Sequence, residues 1–192
     1  MFIFLDCETS GLDPYIHDIT ELGVIIIEKL KNKWIVNPKK YFHKRLFLQN
    51  PENADDEALE IGHYNEELWQ KTAAMAEEGL LEFNDWLKNI SPSEKPTMCA
   101  HNAEFDKSMI LSNCDRFKIF PFMNESWLDS IGVWTLFKSF HNLNHLGNSN
   151  KAMCSYFKVE NVKAHAALAD SAASAQCLSI MLNNISFKEI KT

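Results

Sequence analysis

The sequence predicts an α/β domain in which three antiparallel strands come first and a buried strand with flanking helices follows. Three observations predict it. The β-rich runs crowd into the first 45 residues and are parted by turn signals. The clearest amphipathic helix comes after them, over Thr72 to Ile90. A short apolar run, Thr97-Met98-Cys99-Ala100, then leads straight into a helical stretch. With 192 residues, 46% of them hydrophobic, the chain can bury a sizeable core, and its length fits one domain over 1–192 better than two.

Phe2-Ile3-Phe4-Leu5 reads as a strand covered on both faces, and Gly11 and Asp13-Pro14 stop it soon afterwards. Asp6 and Glu8 stand at its end. Side chains alternate across a strand, so these two carboxylates converge while Cys7 faces the opposite layer. Like charges that close repel unless a cation lies between them, and oxygen-only ligands favour Mg²⁺ or Mn²⁺ over zinc. Alone, the pair reads more readily as two polar residues at a strand exit; its weight depends on acids further along the chain.

Ile19 to Glu28 is the second strand, centred on Val24-Ile25-Ile26-Ile27, and Trp34-Ile35-Val36 to Tyr41-Phe42 is the third, with a hairpin turn at Lys31-Asn32-Lys33. Lys39, Lys40, His43, Lys44 and Arg45 form the one dense basic cluster. It has two readings: an edge strand protected by lysines, or a rim contacting phosphates. Gln49 to Gln70 is polar and punctuated by Pro51 and Gly62, which predicts a long loop with short helical turns. In the Thr72 to Ile90 helix, Ala73, Ala76, Leu80, Phe83, Leu87 and Ile90 recur at three and four, and Pro92 and Pro96 end it.

After the Thr97–Ala100 strand, a helix is expected to run to about Asn113. Asp129 reads as the N-cap of a helix over Ser130 to Phe137 rather than as a ligand. A short helix over Lys151 to Phe157 and an alanine-rich one from Ala166 to about Asn183 complete the pattern; the alanines allow close packing on the sheet.

The net charge of −7 argues against a protein that coats nucleic acid nonspecifically, but not against an enzyme acting on a chain end. Two divalent cations in an acidic site would cancel part of that charge. Five cysteines, at 7, 99, 114, 154 and 177, are widely spaced and lack any Cys-x-x-Cys pair, so they read as reduced core thiols. No apolar run reaches membrane-spanning length, and the N-terminus opens on a strand and an acid rather than a charged leader. The expectation is a soluble cytoplasmic protein with no membrane partner.

Two later acids stand out. Asp106 lies in the first turn of a helix leaving a buried strand, in His101-Asn102-Ala103-Glu104-Phe105-Asp106. Asp170 lies between alanines, in Ala164-His165-Ala166-Ala167-Leu168-Ala169-Asp170. An acid on a packed helical face needs a partner. At about 100° per residue, His165 and Asp170 would diverge by about 140° on one helix, so His165 belongs before the helix or in its first turn. There it reads either as a surface or capping histidine or as a general base beside a metal-bound carboxylate.

Asp6-Cys7-Glu8-Thr9-Ser10-Gly11-Leu12, then His101 to Asp106, then His165 followed by Asp170, resemble the three motifs of the DnaQ-like 3′-to-5′ exonucleases. These are the DEDD group, in its histidine variant; the tyrosine variant would place Tyr where Ala166 stands. The resemblance spans residues 2 to about 183 and implies a ribonuclease H-like fold, a mixed five-stranded sheet with three antiparallel strands followed by parallel ones. The segment Glu57 to His63 departs from the family, reading Ile-Gly-His where Ile-His-Gly is usual, and leaves the role of His63 open.

The resemblance further implies catalytic Asp6, Glu8, Asp106, His165 and Asp170. The four acids would hold two divalent cations, Mg²⁺ or Mn²⁺, with Asp6 bridging and Asp106 acting through water, while His165 takes the proton of the attacking water. Leu12 would wedge between terminal bases, and Thr9, Asn102 and Phe105 would hold the last nucleotide, although Phe105 reads equally as a core anchor. The implied partner is the 3′ end of single-stranded DNA or RNA, with a homodimer allowed because some relatives pair. The rivals are a non-catalytic nucleic-acid-binding module of the same fold and a ribonuclease H-like endonuclease.

Overall fold

A computed structural model describes residues 1–161 and 164–184. Strands β1 (Phe2–Thr9), β2 (Ile19–Leu30) and β3 (Lys33–Arg45) form an antiparallel meander. Lys31 and Asn32 make the β2–β3 turn, both at positive φ, as a two-residue hairpin requires. A 3₁₀ turn at Pro51–Asn53 is followed by α1 (Asp56–Ile61), α2 (Glu66–Thr72) and α3 (Ala76–Ile90). Strand β4 (Thr97–Ala100) leads into α4 (Ala103–Arg116), and β5 (Leu128–Asp129) into α5 (Ser130–Phe140). Helices α6 (Asn150–Phe157) and α7 (Ala167–Asn184) follow. The sheet order is β3-β2-β1-β4-β5, with β4 and β5 parallel to β1, which is the mixed five-stranded sheet the motifs implied.

The apolar runs of β1 and β2 are continuous because both faces of the sheet are covered. Ile3, Leu5, Cys7, Leu22 and Val24 pack against Leu80, Phe83 and Leu87 of α3 and Met109, Ile110 and Cys114 of α4. Phe4, Ile25 and Ile27 pack on the other face with Trp134 of α5, Met153 and Cys154 of α6, and Ala173, Cys177, Leu178 and Met181 of α7. All five cysteines are free and buried, as expected for reduced core thiols.

Several boundaries differ from the sequence reading. The amphipathic helix begins at Ala76 rather than Thr72, because Ala74 is held in an extended bridge beside Leu46: its N–H donates to the Arg45 carbonyl and its carbonyl accepts from Phe47. The expected loop over 49–70 is largely two short capped helices, with Asp55 and Asn65 accepting from Glu57 N–H and Leu68 N–H. Strand β3 pairs out to Arg45, beyond Phe42, because a bulge opposite Ile25 and Ile26 lets it skip residues 38–40: Ile26 pairs with Asn37 and Ile25 with Tyr41. Helix α4 runs one turn past Asn113.

One glycine fixes how α7 meets the sheet. Gly23, paired with Asp6 across β1 and β2, faces the start of α7, and a Cβ there would overlap the Ala167 carbonyl and the Leu168 nitrogen. Only a bare backbone admits the helix this close. Among the described residues no helix is long and apolar enough to cross a membrane.

Candidate active site

Asp6 and Glu8 project from the end of β1 toward the α7 layer, and Asp170 meets them from the first turn of α7. One carboxylate oxygen of each lies within 4.8 Å of the other two. Both oxygens of Asp170 are held: the His165 N–H donates to Oδ2 at 2.7 Å, and the Asn161 side-chain amide donates to Oδ1.

Asp106 arrives from the opposite layer. It is 2% exposed in the first turn of α4, and its Oδ1 accepts from the Cys7 N–H at 3.0 Å and from the Cys7 thiol at 3.2 Å. The alternation of β1 thus sends Asp6 and Glu8 to one face and Cys7 to the other, and Cys7 holds the fourth acid at the strand end.

Burial and mutual repulsion set the electrostatics of these acids. Burial, with Asp106, Glu8 and Asp170 nearby, raises the Asp6 carboxyl well above its ordinary value. Burial and the charges of Asp170 and Glu21 push Glu8 up to about 7. Burial likewise lifts Asp106 to about 7 against the opposing Cys7 hydrogen bonds. Among the described residues none of these four acids pairs with a Lys, Arg or His side chain. Clustered, unpaired oxygen donors of this kind suit a hard divalent cation.

His165 lies two residues before α7, exposed, with φ at 64°. Of the two positions that helical angles allow, before the helix or in its first turn, His165 takes the first. Its ring stands edge-on to His63, with centroids 6.2 Å apart, and the two line a cleft of about 360 Å³ with Glu21, Arg45 and Trp69. Gly62, which stands where the family usually has histidine, lies against Glu8; a Cβ there would come within 3.3 Å of Oε2.

The nucleotide-contact candidates divide. Leu12 is 79% exposed. The Thr9 hydroxyl donates to the Gly11 carbonyl at 2.8 Å and is engaged in its own turn. Asn102 caps α4 in the left-handed region, its N–H donating to Asp129 Oδ1 at 3.2 Å. Phe105 is partly buried against the α3–α4 core, which favours the anchor alternative for that ring. Asp129 caps α5 through the Ile131 N–H at 2.9 Å, so it is an N-cap as expected.

The basic cluster is mostly spent on the protein's own carboxylates: Lys40 pairs with Glu28, Lys44 with Glu82, and His43 and Arg45 with Glu21. That supports the protected-edge reading. Glu21 itself escaped the sequence reading. It is buried on β2 directly across from Glu8, and its Oε2 accepts from the Ala167 N–H at 3.0 Å. Burial opposes its ionisation, but the His43 ring, the Ala167 amide and Arg45 outweigh burial and hold the carboxyl below its usual value. A buried acid in Ile19-Thr20-Glu21-Leu22-Gly23 was the available signal; the bulge in β3 concealed which bases faced it.

The exonuclease family model (RNase_T) matches residues 3–178. Ribonuclease T of Histophilus somni is 24% identical over 196 residues, covering 95% of this chain and 84% of its own length. The PolC-type DNA polymerase III of Caldanaerobacter subterraneus subsp. tengcongensis is 28% identical, and this chain spans all of its own length but 12% of that protein's. In structure, cell-death related nuclease 4 superposes with a TM-score of 0.80 at 14% identity, covering 95% of this chain and 64% of that one. The nuclease domain of 3′hExo, a DEDDh family member bound to rAMP, gives 0.73 at 15% identity, covering 95% and 92%. With the family model running over residues 3–178, nearly its whole length, the chain belongs to the exonuclease family.

Proposed function

We infer that this single domain is a 3′-to-5′ exonuclease that removes nucleoside 5′-monophosphates from single-stranded DNA or RNA ends. The observation that carries this is the Asp6–Glu8–Asp170 cluster, uncompensated by any described base, beside the exposed His165. Asp6, Glu8 and Asp170 would hold one divalent cation, and Asp6 with Asp106 a second. Two bound Mg²⁺ or Mn²⁺ ions would acidify the attacking water and neutralise the charge growing on the leaving 3′ oxygen.

The remaining work falls to side chains of this chain. His165 takes the water proton as the water oxygen bonds to phosphorus and the bond from phosphorus to the 3′ oxygen breaks; that oxygen then takes a proton from solvent. The His165 N–H and Asn161 fix the Asp170 carboxylate. Leu12, exposed at the end of the first motif, separates the last base from its neighbour. Unstacking paired bases costs a few kcal/mol per step, about enough to place frayed single strands ahead of duplex ends.

The test uses a circular single strand beside its linear form, with Mg²⁺ and with excess chelator. The reading predicts that the circle survives while the linear strand is consumed only with metal. Cleavage of the circle would make the enzyme an endonuclease, and full activity in chelator would remove the metal from the mechanism.

A further inference from the structure

We propose that Glu21 is the positioning residue of this site, acting through α7 to hold Asp170 and the His165 turn in register with β1. The inference rests on the catalytic reading above and adds a residue outside its motifs. Glu21 is 3% exposed near the start of β2, between β1 and β3, and lies across from Glu8 at the end of β1. A buried carboxylate needs a reason to be there, since burial disfavours its charge. Its contacts supply one. Oε2 accepts from the Ala167 N–H, at the first residue of α7, where backbone donors lack partners within the helix. Oε1 lies 2.7 Å from His43 Nε2 and 3.3 Å from Arg45 Nε on β3.

Glu21 therefore ties the α7 start to two strands at once. Arg45 is braced in turn by the Trp69 ring 4.9 Å away, and Trp69 by donation of its indole N–H to the Thr20 carbonyl at 3.1 Å. Asp170 follows Ala167 by three residues and His165 precedes it by two, so both are placed by where the helix begins. Gly23, two residues along β2, leaves the space for that start, and Glu21 fixes it there. The negative charge also complements the positive end of the α7 dipole. Sheet and helix each supply part of the acid cluster, and this hydrogen bond joins them directly at the start of α7, as Asn183 joins the far end of the helix to Trp34 of β3.

The experiment compares wild type with Glu21→Ala, Glu21→Gln and Asp170→Asn on a 5′-labelled oligonucleotide, with Mn²⁺ binding followed by calorimetry. Amide exchange at residues 166–170 is followed in chelator. Outer-shell supports of metal ligands are typically worth about 10- to 100-fold. Glu21→Ala should lower kcat and Mn²⁺ affinity by about that range, leave KM for the oligonucleotide within about threefold, and quicken exchange at 166–170. Glu21→Gln keeps an acceptor for the Ala167 N–H and should recover most of the kcat and the slow exchange. Wild-type kcat and Mn²⁺ affinity in Glu21→Ala, or a Glu21→Gln loss as large as that of Ala, overturns the proposal. Should Glu21→Ala fail to fold, Glu21→Gln decides alone: slow exchange at 166–170 with kcat and Mn²⁺ affinity within about threefold of wild type supports the proposal, and a loss of about tenfold or more in either overturns it. Full activity in Asp170→Asn would instead overturn the catalytic reading, so the two failures are distinguishable.

Discussion

The Cys7 N–H and thiol both point at one oxygen of Asp106, at 3.0 and 3.2 Å, joining β1 to α4 across the sheet end. The backbone bond survives any side chain at position 7, whereas the thiol bond does not. Cys7→Ala should therefore leave Asp106 in place, cost about 1 to 2 kcal/mol for lost packing and one weak hydrogen bond, and reduce activity by less than about tenfold. Asp106→Asn, assayed beside it, should lose far more activity while melting at an equal or higher temperature in chelator. Near-normal turnover in Asp106→Asn would remove that acid from the site.

The raised carboxyls make a pH prediction for the metal-free chain. Glu8 and Asp106 sit at about 7 when folded, against unfolded values of about 4. A carboxyl raised in the folded state stabilises the fold at low pH, and this contribution is lost as pH climbs from the unfolded value through the folded one. His101, whose burial lowers its value, works the other way below about pH 6.5 and offsets part of the effect. In chelator, the melting temperature should fall between about pH 5 and 7.5, and adding Mg²⁺ should restore it. A rise across that window, or no metal effect at pH 7.5, would mean the acids are compensated in some other way.

His165 holds Asp170 through its backbone N–H, and among the described residues its ring makes no hydrogen bond and stands edge-on to His63. Its φ of 64° favours Asn over Ala as the replacement. His165→Asn should cut kcat by about two to four orders of magnitude while Mn²⁺ affinity by calorimetry stays within about threefold. Metal affinity lost together with activity would make the ring a ligand.

Gly23→Ala tests the close approach of α7. The added methyl would meet the Ala167 backbone, which cannot swing aside as a side chain could. Overpacking of this kind costs about 1 to 3 kcal/mol, and the displaced helix should take Asp170 and activity with it. An unchanged melting temperature would show that the helix start has slack.

How much of this was legible in the chain follows from the range of each interaction. The two-residue alternation put Asp6 and Glu8 on one side of β1 and Cys7 on the other, and helical angles put His165 ahead of its helix or in its first turn; both are local rules, and both hold. The hairpin at Lys31-Asn32 was equally local. The link from Glu21 to His43 and Arg45 was not, because pairing from the turn is displaced by the bulge in β3. The bridge of Leu46 to Ala74 displaced the start of α3 for the same reason: a tertiary contact overrode a helical pattern. The roles of Phe105 and the basic cluster had two readings each until neighbours from distant segments were known.

The central claim is that the Asp6–Glu8–Asp170 cluster cuts single strands from the 3′ end. Its most direct measurement is a time course on a 5′-labelled single-stranded 20-mer in Mg²⁺, with a 3′-phosphorylated copy and the Asp170→Asn variant alongside. The account predicts a ladder shortening from the 3′ side, slowed by the 3′-phosphate and absent in Asp170→Asn. Early release of the label as a mononucleotide, or an undiminished ladder from Asp170→Asn, would contradict it.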